Sequence, residues 1–278
     1  MSVAGIRFEL NAFLGFVERQ GNLTKRYWAW ELVWFFYSLV SVLSIGYLAS
    51  GLGTLGLNSS TFSLHQAQLY LLVGSLLWGY LSLVFNDVAY AISWERWEGT
   101  IEYTFMAPVK RITHLMGICL WAIVYGMVRA GLVLVAAILL FNIDLRHADL
   151  GAAAAILAVS TLPLVGLGIL TSVLPLLSPG KGEQLTVAAQ GFLLLVSGVY
   201  YPLSVLPLPL RIAGQASPLT YTLQGIRDCL LGDRHLGDEL PNLLLLGTMG
   251  VLLIPLGLAV FGVAERRAKR LGLLKRSG

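Results

Sequence analysis

The stretch WERWEGTIEYTFMAPVKR, residues 94–111, decides how this chain is read. It is a charged, aromatic-studded island between two long apolar runs, Leu69 to Ile92 and Leu115 to Phe141. Charged residues make up 12% of the 278 and hydrophobic ones 56%, with a mean hydropathy of +0.75. A soluble domain carries about 25% charged residues. The composition therefore predicts a polytopic membrane protein, with the island as the place where its membrane part meets something aqueous.

Working outward, four further runs resemble the two beside the island: Leu32 to Gly51, Leu150 to Leu177, Leu185 to Leu203 and Leu243 to Val263. Each of the six is long enough to cross about 30 Å of hydrocarbon with about 20 residues. The expected fold is all-α, a bundle of six transmembrane helices over residues 30–264. Pro163 and Pro175 predict a kink or break in the fourth. Residues 1–29 come first, with Ile6, Leu10, Phe13, Leu14 and Val17 on one helical face and Arg7, Asn11, Glu18 and Arg19 opposite. That pattern suits an amphipathic helix lying in the membrane interface, or alternatively one packed on a soluble cap. No cleavable leader is expected, since no small-residue cleavage pattern follows the first apolar run.

Orientation follows from the lysines and arginines. Arg7, Arg19, Lys25, Arg26, Arg96, Lys110, Arg111, Lys181 and the basic tail, residues 265–278, fall on one side, while the other side holds Arg146, Arg211, Arg227 and Arg234. Both termini and the island are thereby expected in the cytoplasm. On the outer side, the connector from Leu52 to Gln68 reads as plain loop. The stretch from Ser204 to Asn242 contains two pieces, Leu203 to Ala213 and Leu219 to Leu231, too short to cross but apolar enough to dip in. Two short re-entrant or interfacial helices are expected over 203–231. The net charge of +4 forms no stripe on a soluble face, which argues against nucleic acid. Cys119 and Cys229 fall at opposite ends of the bundle, too far apart to bridge.

Several chemistries are absent. No G-x-x-x-x-G-K-[ST] phosphate loop occurs, and Pro179-Gly180-Lys181-Gly182 lacks its spacing and hydroxyl. The four histidines, His65, His114, His147 and His235, form no H-E-x-x-H or Cys/His pair, so no metal site is expected. No G-x-S-x-G elbow is present. The chain is not expected to catalyse a reaction alone or to hold a cofactor of its own.

The island is richer. On a continuous helix Glu95, Glu98 and Glu102 share a face beside Trp94, Ile101 and Phe105. Gly99 would admit a neighbouring backbone, and Pro108 would end the helix before Lys110 and Arg111. Two readings stay open: a docking element for a groove on a soluble protein, or a solvated connector resting its tryptophans on headgroups.

A resemblance extends this reading. Glu95-Arg96-Trp97-Glu98-Gly99-Thr100-Ile101-Glu102, followed by Ala107-Pro108-Val109, resembles the coupling-helix signature of ABC-2 type transporter permeases. Ser197 to Pro207, then Ser217 to Tyr221 and Gly225-Ile226-Arg227, is similar to that family's fifth-span exit and re-entrant helices. Trp97 stands where many members carry an acidic or polar residue, and the first outer loop is short. The resemblance implies an export permease in the plasma (inner) membrane for an amphipathic, drug-like or lipid-like molecule. It also implies a second permease chain, a homodimer rather than a heterodimer, and two separate cytoplasmic ATPase subunits that hold the ATP and Mg. It assigns Trp94, Glu95, Trp97, Glu98, Gly99, Thr100, Glu102 and Pro108 to the ATPase contact, with Lys181 and Glu183 as a smaller one. It places Tyr200, Tyr201, Pro202, Pro207, Pro218, Tyr221 and Arg227 at the outer gate and re-entrant region.

Arg129 falls near the middle of its run, where a charge costs at least about 2.5 kcal/mol and must face protein or water. A salt bridge to Asp87 or Glu31, a carbonyl clamp and a place in the substrate path all remain open. The tyrosines suit a gate or an interfacial aromatic belt, and the basic tail suits anionic lipids. The rival class is an ion-coupled transporter or channel without an ATPase. It calls for paired intramembrane carboxylates or an internal repeat, neither evident between Leu32 and Val263.

Overall fold

The computed structural model describes residues 3–54, 64–141, 148–178, 180–231 and 235–274. Most of the first connector, together with Arg146, His147, Pro179, Arg234, Lys275 and Arg276, lies outside them. The described residues are all-α without strands. The helices are α1 (Val3–Arg26), α2 (Trp28–Thr54), α3 (Leu64–Ala89), α4 (Ala91–Glu98), α5 (Ile101–Met106), α6 (Arg111–Phe141), α7 (Leu150–Leu177), α8 (Gly182–Val196), α9 (Leu208–Gln215), α10 (Pro218–Leu231) and α11 (Leu240–Arg270).

Among the described residues, α2, α3, α6, α7 and α11 are long and apolar enough to cross a bilayer. About half of the most apolar window of α3 and of α7 is buried, 50% and 56%, against 17% in α2, α6 and α11. The first two are therefore the inner helices, and the other three turn apolar side chains outward. The fifth expected span differs. Its apolar run continues to Leu203, but α8 stops after 15 residues at Val196, where Ser197 and Gly198 turn the chain, Gly198 with a φ of 71°. Hydropathy does not register that change of backbone. A positive φ without steric cost is what glycine supplies.

Neither proline breaks α7, which runs unbroken from Leu150 to Leu177. Pro175 sits in its last turn, where its missing N–H withdraws the helical donor from the Thr171 carbonyl alone and the turn closes after it. α7 packs most extensively on α11, along a seam of small residues. A Cβ on Gly166 would lie 2.6 Å from Leu253 Cβ, one on Gly250 2.5 Å from Leu162 Cβ, and one on Gly257 3.0 Å from the Gly166 carbonyl oxygen. Close backbone approach through small residues is how helices gain van der Waals contact in lipid, where no hydrophobic drive remains between them. Gly166→Ala is accordingly expected to destabilise the bundle by about 2 kcal/mol through overpacking, read as a lowered thermal midpoint in detergent. Gly247→Ala, which meets open space, should leave that midpoint unmoved.

α1 leans along the beginning of α6. The Thr113 hydroxyl donates to Glu9 Oε2, Phe16 lies 2.7 Å from where a Gly117 Cβ would be, and Trp121 Nε1 donates to the Thr24 hydroxyl at 3.1 Å. Phe13, Phe16 and Val17 turn inward while Leu10 and Leu14 stay exposed. The apolar face predicted for this helix is thus divided between α6 and the surroundings.

The segment after α8 folds into a short 3-10 turn (Leu203–Val205), α9 and α10. α10 lies against α7, and at its far end the Asp149 N–H donates to the Cys229 carbonyl at 3.1 Å. Leu219, Leu223 and Ile226 of α10 join Leu77, Leu81, Ile156 and Leu164 in one core cluster.

Candidate functional site

The island folds as an elbow of two short helices. α4 ends in a Schellman turn: Gly99 takes φ 76°, its N–H donates to the Arg96 carbonyl at 3.2 Å, and the Thr100 N–H donates to the Glu95 carbonyl at 2.8 Å. Only a residue free of a Cβ adopts this turn cheaply. Gly99 therefore serves a left-handed cap. The break also divides the carboxylate face expected on a continuous helix, since Glu95 is 2% exposed, Glu98 half-buried and Glu102 exposed.

Glu95 is the hub of the inner side. Its Oε1 accepts from Arg19 Nη1 at 2.9 Å and from the Thr104 hydroxyl at 3.2 Å, and pairs with His114 Nε2 at 2.9 Å. Arg19 also reaches Glu98 Oε2 at 3.2 Å and the Thr100 hydroxyl at 2.8 Å. Burial pushes the Glu95 carboxyl upward, but His114 and Arg19 together outweigh it and hold the group below its ordinary value. His114 is fully buried and stacks at a tilt on Phe16, 4.7 Å between ring centroids. Four segments of the chain thereby meet on one carboxylate: α1, α4, α5 and α6.

Two more arginines fasten the elbow. Arg96, 3% exposed, donates to the carbonyls of Pro175 at 2.8 Å, Leu176 at 3.5 Å and Leu273 at 3.0 Å, capping the end of α7. Arg111 donates to the Thr104 and Phe105 carbonyls, each at 2.7 Å, and to Glu265 Oε1 at 3.1 Å. Its guanidinium lies 4.4 Å over the Phe105 ring. Ile92, Ile101 and Phe105 sink into a core cluster with Leu115, Ile169, Leu176, Phe261 and Ala264. The inner face of the elbow is part of the bundle, joined by charge-assisted bonds to α1, α6 and α7, and through Arg111 of α6 to α11.

The outer face is different in kind. Trp94 and Trp97 are exposed and meet edge to face at 5.4 Å, with Tyr27 6.1 Å from Trp97. Glu102 and Pro108 are exposed, and Tyr103 and Met106 reach 79% and 82%. Lys181 and Glu183, also exposed, lie at the turn into α8. Burial first and Glu183 second push the Tyr90 phenol upward, so this turn lies within electrostatic range of the start of α4. The sequence alone puts Arg19 on the polar face of α1, Arg96 in the coupling-helix signature, Arg111 at the start of a span and His114 in isolation, and gives none of them a partner. Their acceptors lie 6 to 177 residues away, a distance no periodicity reveals.

At the opposite end, Arg227 is buried among carbonyls. It donates to Gly198 at 2.9 Å, Val199 at 2.5 Å and Tyr70 at 3.3 Å, and its guanidinium sits 3.5 Å over the Tyr70 ring. A Cβ on Gly74 would fall 2.2 Å from the Val199 oxygen, so only glycine lets α3 approach this knot. Tyr200 packs on the core, while the hydroxyls of Tyr201 and Tyr221 donate to Leu195 and Gln215 carbonyls, each at 2.7 Å. Pro218 is buried, and Pro202 and Pro207 are exposed. Arg129 donates to the Trp34 carbonyl, the clamp among the alternatives weighed for it, and Asp87 lies within electrostatic range of both Glu31 and Arg129. Glu31 itself accepts from the Tyr125 hydroxyl at 2.7 Å. Cys119 and Cys229 are separate buried thiols, and no cluster of metal-ligating side chains occurs among the described residues.

Among curated proteins, no sequence matches this chain. The family model described as ABC-2 type transporter matches residues 12–231, a span containing the elbow, Arg227 and five of the six apolar runs. With more than half of its length matched, the chain belongs to the ABC-2 type transporter family and is a multi-pass membrane permease of an ABC transporter.

Proposed function

We propose that the chain is the membrane half of an exporter driven by a separate ATPase, with the elbow as the joint between them. The observation that carries this reading is the two-sidedness of the elbow. Its inner face is bonded to α1, α6 and α7, while its outer face presents Trp94, Trp97, Glu102, Tyr103 and Met106 without burial. Exposed aromatics beside a carboxylate suit a groove on a soluble partner. Such a partner, pushing on α4 and α5, would move three helices of the bundle together.

In this reading the elbow end faces the cytoplasm of the inner membrane, as the lysines and arginines gathered there favour. ATP and Mg belong to two partner ATPase subunits, and two copies of the permease pair to form the path for an amphipathic, drug-like or lipid-like molecule. The sequence alone suggests reversing Glu98, yet Glu98 is engaged by Arg19, so that change also disturbs the interior. Glu102→Lys combined with Trp97→Ala touches exposed groups only. The variant is expected to insert normally but to co-purify with at least about tenfold less ATPase, the loss of one hot-spot anchor. Undiminished ATPase recovery and transport would overturn the reading.

A further inference from the structure

The end of α11 is built in the same way as the end of α4. Gly272 takes φ 63°, its N–H donates to the Lys269 carbonyl at 3.3 Å, and the Leu273 N–H donates to the Ala268 carbonyl at 3.0 Å. This second Schellman turn folds the chain back toward the bundle. Leu273 and Leu274 then pack against the cluster that holds Ile92, Ile101 and Phe105. The Leu273 carbonyl accepts from Arg96 Nη2 at 3.0 Å, and the same guanidinium donates to the Pro175 and Leu176 carbonyls at the end of α7.

We propose that residues 271–274 are a positioning latch: the turned-back segment after α11 holds Arg96, and through it the elbow, at one angle to α7. Three features support a positioning role over a loose end. The acceptor is a backbone carbonyl, so its place is fixed by the turn and not by a side-chain rotamer. Arg96 is almost wholly buried, so a guanidinium that loses this half-buried acceptor has little water to turn to in its place. Arg96 is also shared between α7 and the segment, so a shift of either changes the pose of α4. The consequence for transport rests on the elbow being the ATPase joint: without the latch, ATPase movement is spent on turning the elbow and reaches the bundle less completely.

Two variants test this on the full chain reconstituted in lipid nanodiscs. A chain ending at Arg270 removes the latch, with a chain ending at Leu274 as control. Gly272→Val keeps the leucines but opposes the left-handed turn, and a side chain at 272 meets no atom within 4 Å, so the turn itself is the target. Hydrogen exchange is read over residues 91–106. Exchange about tenfold faster there in both variants, with α3 and α7 unchanged, is the expected result. Unchanged exchange over 91–106, or acceleration spread equally over the whole bundle, would overturn the latch. The ratio of transport to ATP hydrolysis, measured with the ATPase present, is expected to fall in the same two variants. Wild-type protein that recruits no ATPase would refute the joint and leave the exchange result standing on its own.

Discussion

Replacing Glu95 by alanine is expected to cost the folded protein about 3 kcal/mol, the lower end of the range for breaking a buried ion pair. The lower end applies because Arg19 keeps 27% of its side-chain surface in contact with solvent. The loss goes beyond one pair: His114, with no exposure, and the Thr104 hydroxyl lose their acceptor together with Arg19. The measurement is the thermal midpoint in detergent, together with the yield of monodisperse protein. Glu95→Gln separates charge from shape, since it keeps an acceptor oxygen while removing the charge that holds Arg19. It should fall between wild type and alanine. Midpoints equal to wild type in both variants would show that the network does not support the fold.

The same carboxylate sets an acid limit. The Glu95 group sits below its ordinary value of 4.5 in the folded chain, held there by His114 and Arg19 against burial. The stability it contributes is therefore fully present above 4.5 and is lost as the pH falls through the lower, folded-state value. Wild type should lose stability in that acid window, and Glu95→Gln should show a flatter profile there.

Arg227→Leu is the second large effect, also about 3 kcal/mol, because three carbonyls at Gly198, Val199 and Tyr70 lose their donor where little water can replace it. Lysine is a poor substitute, since a single ammonium cannot present a planar fork to acceptors on α3 and on the turn after α8 and stack on Tyr70. The local readout is built in, for Cys229 is a fully buried thiol two residues away. In a Cys119→Ala background, maleimide labelling of Cys229 should rise about tenfold or more once Arg227 is removed. A thiol as unreactive as before would show that Arg227 does not hold α10 in place.

The apolar runs, the N-terminal amphipathic helix and the elbow's location were legible in the sequence because each depends on local composition. The elbow's inner wiring was not. The spacing of Glu95, Glu98 and Glu102 describes one face only if the helix continues, and Gly99 stops it. Glu95 looked like a surface carboxylate because its partners, Arg19 and His114, lie 76 and 19 residues away along the chain. The early end of α8 was hidden for the opposite reason, as hydropathy carries on past Gly198 while the backbone turns. Sequence signals for both stops exist, a glycine followed by a small polar or β-branched residue, but each is weak without knowledge of φ.

The short α8 has one more consequence. Fifteen residues at about 1.5 Å each rise about 22 Å, short of the roughly 30 Å of hydrocarbon in a bilayer. The remainder of that column is filled by helix ends, with Ser197 and Ser217 hydroxyls 3.1 Å apart and the Thr220 hydroxyl donating to the Gly214 carbonyl at 2.7 Å. Where other columns present hydrocarbon, this one presents groups that already bond as water does. The outer part of this column is therefore held by hydrogen bonds between short helix ends, Ser197 with Ser217 and Thr220 with Gly214, where its neighbours continue as unbroken helix.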